Sequence, residues 1–266
     1  MTWRLQRNHA AVLVMRFLFG AVLLLAAPWA RADLPEIIAT IKPSIVVVGT
    51  FSQLRSPQFL MRGTGFAVGD GSMIATNAHV IAVNLDTTQQ EVFAILVRQG
   101  DALQRRNAVL QIADKEHDLA LLKITGPPLP ALKIKSAAEI REGQSVAFTG
   151  FPIGGSLGFS PVTHRGIISS VTPIALPAAN SAQLKEKPIR RLRSGSFSIY
   201  QLDATAYPGN SGGPLFDADS GEVIGILNMV FVKGTKESAL EKPSGISYAI
   251  PASFLLDLIS RESPNR

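Results

Sequence analysis

The sequence has no cysteine among its 266 residues. That absence excludes a disulfide scaffold, a zinc site built on thiolates and a cysteine nucleophile. Charged residues are also scarce, at 17%, whereas hydrophobic residues reach 46% and the mean hydropathy is +0.22. A chain this apolar buries a hydrophobic core, so an intrinsically disordered protein is excluded as well.

Acidic residues are missing from the first 32 positions, and most of the formal net charge of +6 comes from the arginines there. The basic balance is therefore a weak indicator of nucleic-acid binding, and we expect no nucleic-acid partner. The arginines in question are Arg4, Arg7, Arg16 and Arg31.

The same segment has the three parts of a secretory signal peptide. Arg4, Arg7 and Arg16 precede an apolar run over residues 17–27, Pro28 ends the run, and Ala30-Arg31-Ala32 offers the small residues that signal peptidase accepts. The run is shorter than the ~20 helical residues that cross a bilayer. We predict a signal peptide over residues 1–32 and a periplasmic or secreted protein with no stable membrane span after cleavage. An uncleaved anchor is the alternative.

After Asp33 the chain alternates short apolar runs with turn residues, a pattern typical of β-strands. Apolar stripes at helical spacing also predict one short helix near Ile37 and another near Leu258. The fold class is therefore all-β, as a closed or double barrel with short terminal helices. The predicted strands cover residues 45–48, 65–68, 73–76, 92–97, 108–113, 119–124, 145–149, 163–170, 199–203, 214–216, 223–232 and 245–250.

The strongest chemical motif is Gly209-Asn210-Ser211-Gly212-Gly213-Pro214. A serine hydroxyl is a weak nucleophile that needs a base and a site for the negative charge on the substrate oxygen. Glycines allow a sharp turn that points backbone amides outward. The amides of Gly209 and Ser211 are candidate donors to that oxygen. An ordinary glycine-rich turn is the alternative.

A histidine and an aspartate precede this serine in the order that chymotrypsin-type enzymes use. His79 lies in Thr76-Asn77-Ala78-His79-Val80, where a strand runs into a helical turn. Asp118 leads the apolar strand that follows it. Imidazole accepts a proton near neutral pH, and an aspartate fixes its tautomer and stabilises the imidazolium.

These motifs together resemble the HtrA (Deg) family of trypsin-like serine proteases. The resemblance implies a double β-barrel of the chymotrypsin type, a metal-free endopeptidase with no cofactor, and protein or peptide substrates that include unfolded chains. It implies His79 as base, Asp118 as its orienting group, Ser211 as nucleophile, and the Gly209 and Ser211 amides as oxyanion hole. The matching segments are residues 63–66, 76–80, 118–122, 150–152, 166–169, 203–204, 209–214 and 246–251.

On this resemblance we expect a protease domain over residues 33–266, with a first barrel at about 44–125 and a second at about 136–250. The sequence ends shortly after Pro251, so we expect this chain to lack the PDZ domains of many family members. The oligomeric state is left open. Residues 173–198 form a long loop that is either solvated or a docking site for acidic segments. Its basic residues are Lys185, Lys187, Arg190, Arg191 and Arg193.

Specificity is predicted from Thr205, which the trypsin-like pattern places at the base of the pocket for the residue before the cleaved bond. With no acid at this position, we expect no preference for Lys or Arg there. We expect Leu227, Asn228 and Met229 to form the pocket wall and to favour small or medium apolar residues. His117, next to Asp118, is predicted to be a surface residue, and the histidine spacing matches no zinc pattern.

Three functions remain open from the sequence. The first is a serine endopeptidase that acts in extracytoplasmic protein quality control. The second is a non-catalytic peptide-binding or sensor protein on the same fold, which the complete set of triad residues argues against. The third is an unrelated all-β carbohydrate or adhesion module, which accounts for the strands but not for the order of the motifs.

Overall fold

The computed structural model describes residues 33–100, 102–135, 140–154, 158–173, 197–228 and 245–262. They belong to one compact unit that begins at Asp33. The predicted signal peptide, the basic residues of the long loop and Met229 lie outside the described residues.

Six antiparallel strands close the first barrel in the order β1-β2-β3-β6-β5-β4. In β1 the valines alternate, because successive side chains point to opposite faces of a strand. Val46 and Val48 pack inside the barrel, whereas Ile45 and Val47 join the cluster that both barrels share. The strands are β1 (Ile45–Phe51), β2 (Phe59–Val68), β3 (Met73–Thr76), β4 (Val92–Gln99), β5 (Ala102–Asp114) and β6 (Leu119–Ile124).

The second barrel closes in the order β7-β8-β9-β12-β11-β10, which repeats the topology of the first. Phe148, Leu202 and Leu215 are fully buried among the side chains that fill it. Its strands are β7 (Ser145–Gly150), β8 (Val162–Pro173), β9 (Ser198–Asp203), β10 (Pro214–Asp217), β11 (Val223–Asn228) and β12 (Ile246–Pro251).

Three short α-helices, α1 (Leu34–Ile41), α2 (Ala78–Ile81) and α3 (Ala252–Glu262), and a 3₁₀ helix over Lys42–Ser44 complete the described fold. The Asp33 side chain caps α1 by accepting from the Leu34 amide at 2.9 Å. The apolar faces of α1 and α3 belong to the cluster shared by both barrels, which includes Phe66 and Phe216. The terminal helices α1 and α3 therefore pack across both barrels, and the candidate active site lies where those barrels meet.

The predicted fold class is confirmed, because the described strands form two closed six-stranded barrels of the chymotrypsin-like type. All twelve predicted strands are present, but β2 begins at Phe59 and β5 at Ala102, earlier than the apolar pattern indicates. The first residues of both strands are partly or fully exposed. Hydrophobic patterning detects only the buried part of such strands.

None of the helices in the described ranges is long and apolar enough to span a bilayer.

A polar cluster fastens α3 to the turn between β5 and β6. Asp114 accepts hydrogen bonds from His117 at 2.9 Å and from Arg261 at 2.8 Å. The His117 ring stacks on Phe254, with ring centroids 3.9 Å apart, and meets the edge of Phe197. The prediction of a surface His117 is wrong, since the residue lies in a turn rather than on a strand and is half-buried under α3.

This cluster makes the stability of the fold depend on pH. Burial, the largest influence, would raise the pKa of Asp114, but the hydrogen bonds from His117 and Arg261 outweigh it and hold the pKa at about 2. Because this lies below the ordinary value of 3.8, the carboxylate stabilises the folded chain above that pH. The contribution is lost as the pH falls through about 2. We expect the unfolding temperature of wild type to fall more steeply over this range than that of Asp114→Asn, and equal pH slopes would contradict the prediction.

Candidate active site

His79 and Asp118 meet on the first barrel, at the ends of β3 and β6. β3 ends at Thr76, Asn77 leads into α2, and His79 lies in the first turn of that helix. Asp118 Oδ2 lies 2.6 Å from His79 Nδ1, and Asp118 Oδ1 accepts from the His79 backbone amide at 2.8 Å. The carboxylate thus binds both the ring and the backbone of one histidine, which fixes the ring orientation and leaves Nε2 for chemistry.

Asp118 has a left-handed backbone, with φ of 53°, which is uncommon for a residue with a side chain. Three further donors hold it there. Its carbonyl accepts from the Ala78 amide at 3.1 Å and from Asn77 Nδ2 at 3.0 Å. Asn228 Nδ2 donates to Asp118 Oδ2 at 2.7 Å. Surrounding structure therefore over-determines the aspartate position, as expected for a strained residue in a functional site.

The contact of Asn228 with Asp118 corrects the prediction that Asn228 forms the pocket wall. Asn228 is fully buried, and its amide supports the carboxylate from the second barrel. Leu227 is likewise fully buried, and its side chain packs inside the second barrel rather than facing a pocket. The apolar sequence of β11 does not show that Leu227 packs inside the barrel whereas Asn228 binds Asp118, because Asp118 is distant in sequence.

Ser211 lies in a tight loop before β10. The Asn210 amide donates to the Tyr207 carbonyl at 3.0 Å, and the Gly213 amide donates to the Asn210 carbonyl at 2.9 Å. Gly209 has φ of 106°, and a Cβ there would lie 2.2 Å from the Phe151 carbonyl oxygen, so only glycine fits. We call residues 207–213 the nucleophile loop.

Contacts between the barrels bring this loop beside Asn77, which lies two residues before His79. The Thr64 amide donates to the Ser211 carbonyl at 2.8 Å, and the closely packed Gly212 lies beside Thr76 and Asn77. The Ser211 hydroxyl makes no hydrogen bond to a residue of the described ranges. In enzymes without bound substrate, catalytic hydrogen bonds are often long and tighten when the substrate binds.

The Gly209 and Ser211 amides are the predicted oxyanion hole. No described carbonyl accepts from either of them. The Ile153 amide donates to the Pro208 carbonyl at 2.9 Å. Because the C=O and N–H of a planar trans peptide point in opposite directions, this bond turns the Gly209 N–H away from Ile153. Within the described ranges, two backbone donors at Gly209 and Ser211 are therefore unengaged, an arrangement suited to an anion.

Two further expectations concern the position of Thr205 and the lack of a metal site. Thr205 is half-buried, and the neighbouring Ala206 amide donates to Ser247 Oγ at 2.9 Å. Within the described ranges, no group of three or more His, Asp, Glu or Cys residues could hold a metal ion. His164 stacks on Phe148 with ring centroids 4.9 Å apart, and burial lowers its pKa. It is a packing residue of the second barrel.

Comparison with known proteins agrees with this geometry. A model of the trypsin-like peptidase domain family matches residues 63–226. Serine protease HTRA3 of Rattus norvegicus is 30% identical over 231 residues, which cover 85% of this chain and 43% of that protein. A probable periplasmic serine endoprotease of the DegP-like type from Pseudomonas fluorescens is 33% identical over 196 residues, covering 74% and 34%.

Among solved structures, the HtrA-type protease AlgW with a tripeptide superposes with a TM-score of 0.60 and 26% identity, over 86% of this chain and 62% of that chain. The chain spans less than half the length of the curated relatives it matches.

Proposed function

The chain belongs to the HtrA-type trypsin-like peptidases, and we propose that it is a serine endopeptidase that hydrolyses protein substrates through His79, Asp118 and Ser211. The observation that carries the proposal is the Asp118 carboxylate bound to both the ring and the amide of His79. A histidine held in this way, beside a serine in a glycine-rich loop, is the arrangement that acyl transfer requires.

In the proposed reaction, the Ser211 hydroxyl oxygen attacks the carbonyl carbon of the scissile peptide bond while His79 Nε2 takes the hydroxyl proton. Asp118 stabilises the imidazolium that forms. The Gly209 and Ser211 amides donate to the oxyanion of the tetrahedral intermediate. His79 then gives its proton to the leaving amine, and an acyl-enzyme ester remains on Ser211. Water, deprotonated by His79, hydrolyses this ester and restores the serine.

We further propose that residues 1–32 are a signal peptide and that the protease domain, residues 33–266, acts in the periplasm or outside the cell. The apolar leader and the periplasmic relative of Pseudomonas fluorescens support this location. The same proposal includes a role in protein quality control with unfolded chains as substrates, and it leaves the oligomeric state open.

Two measurements distinguish the proposed endopeptidase from the alternative, a non-catalytic peptide-binding protein on this fold. The mature chain is incubated with casein, and the products are analysed by mass spectrometry. A second sample is treated with a fluorophosphonate, which bonds covalently only to an activated serine. We expect casein fragments and labelling at Ser211. Intact casein together with an unlabelled Ser211 would support the non-catalytic alternative.

Specificity is a separate expected outcome. We place Thr205 at the base of the pocket for the residue before the cleaved bond, where a neutral hydroxyl cannot pair with a buried cation. We therefore expect cleavage mainly after small or medium aliphatic residues. A peptide library that varies this position measures the preference, and a profile dominated by Lys or Arg would contradict it.

A further inference from the structure

Thr64 joins the first barrel to the nucleophile loop. It lies on β2, is fully buried and uses its side chain and backbone together. The Thr64 hydroxyl donates to the Gly209 carbonyl at 2.7 Å and accepts from the Phe151 amide at 3.1 Å. The Thr64 amide donates to the Ser211 carbonyl, and the Thr64 carbonyl accepts from Thr76 Oγ1 at 2.7 Å. One residue thus touches the nucleophile loop and the strand that leads to His79.

The direction of the hydroxyl bond is fixed by its neighbours. A threonine hydroxyl has one hydrogen to donate and two lone pairs to accept with. The Phe151 N–H has only a hydrogen to give, so it occupies one lone pair. The single hydroxyl hydrogen is therefore available for the Gly209 carbonyl, and the bond holds that carbonyl towards the first barrel.

Gly209 depends on such external anchors because glycine has no side chain to restrict its backbone. Two peptide planes flank it. The Ile153 amide fixes the first through the Pro208 carbonyl, and the Thr64 hydroxyl fixes the second through the Gly209 carbonyl. The adjacent Asn210 adds no anchor through its side chain, since both polar atoms of that buried amide have no partner in the described ranges.

We propose that Thr64 is a positioning residue whose hydroxyl fixes the peptide between Gly209 and Asn210 and so keeps the oxyanion-hole amides aimed at the substrate oxygen. The inference rests on the proposed function of the same site. An oxyanion hole acts on charge that develops in the transition state rather than on the bound substrate. Loss of the Thr64 hydroxyl therefore lowers kcat and leaves KM nearly unchanged.

The test compares Thr64→Val with Thr64→Ser, because valine has the shape of threonine without the hydroxyl and serine restores the hydroxyl. We expect Thr64→Val to lower kcat by about 10- to 100-fold, less than the ~10²–10³-fold that loss of a donor itself costs. We expect Thr64→Ser to recover most of kcat. Wild-type kcat in Thr64→Val, or equal losses in both variants, would overturn the proposal.

Thr50→Val is the matched control for general destabilisation. Thr50 is also fully buried and lies on the neighbouring strand β1, but its hydroxyl contacts Arg55 instead of the nucleophile loop. We expect Thr50→Val to keep wild-type kcat even where its unfolding temperature falls. A kcat loss in Thr50→Val as large as in Thr64→Val would show that the effect is general, and would overturn the assignment to Thr64.

A readout that needs no turnover separates this inference from the proposed function. The Asn210 amide, bonded to the Tyr207 carbonyl, reports loop order through its hydrogen exchange measured by NMR. We expect faster exchange in Thr64→Val than in wild type and Thr64→Ser. Unchanged exchange would overturn the role of Thr64. A wild-type chain inert towards casein with the same exchange difference would overturn the proposed function and support Thr64 as the anchor of the loop.

Discussion

Replacing Ser211 with alanine is expected to abolish hydrolysis of casein and labelling by a fluorophosphonate. The change removes the oxygen that attacks the peptide bond, and loss of a nucleophile from such a triad typically lowers kcat by about 10⁶-fold. Folding should survive, because the Ser211 hydroxyl bonds to no residue of the described ranges. The measurement is casein turnover, with circular dichroism as a check on folding.

Ser44→Ala is the matched control for this variant. Ser44 is another buried serine whose hydroxyl has no partner in the described ranges, and it precedes β1, away from the nucleophile loop. We expect wild-type turnover from Ser44→Ala. Persistent hydrolysis by purified Ser211→Ala, together with its failure to react with the fluorophosphonate, would refute the assignment of the nucleophile.

Sequence patterning predicted the strands because each of them buries an apolar face. It also placed Gly209 correctly at a position that requires glycine, since a sharp turn before a nucleophile has a local signature. The repeated barrel topology left no visible repeat in the sequence, because two barrels can share strand order while different side chains fill them. Strand periodicity shows which residues are buried and does not show which strands pair.

The parts of the site that sequence patterning missed are long-range contacts. Asn228 and Thr64 each bind a residue more than 100 positions away. The local sequence around each of them does not show which residue it contacts. Sequence patterning therefore predicts Asn228 as pocket wall and Thr64 only as part of a family motif. Local signals therefore locate the reacting groups, whereas the residues that hold those groups in place emerge only from the closure of the two barrels.

The second large effect is expected from Asp118→Asn. The His79 backbone amide donates to one carboxylate oxygen, so the amide oxygen of an asparagine would be drawn to that position. Its NH₂ group would then lie in place of Oδ2, where it would face His79 Nδ1, and the Asn228 amide would have to turn its oxygen towards it. Nδ1 would have to accept, the ring proton would move to Nε2, and the histidine could no longer take the serine proton. We expect kcat to fall by about 10⁴-fold.

Asp114→Asn is the control for Asp118→Asn, since Asp114 lies in the same turn region and also bonds to a histidine through Oδ2. His117, its partner, stacks on Phe254 of α3 and makes no hydrogen bond to His79 within the described ranges, so Asp114→Asn should lower stability above the ordinary pKa of 3.8 and leave kcat near wild type. Turnover of the preferred peptide by both variants measures the difference. If Asp118→Asn retained kcat within about tenfold of wild type, tautomer control by Asp118 would be wrong, because an NH₂ group opposite His79 Nδ1 leaves no acceptor for its proton.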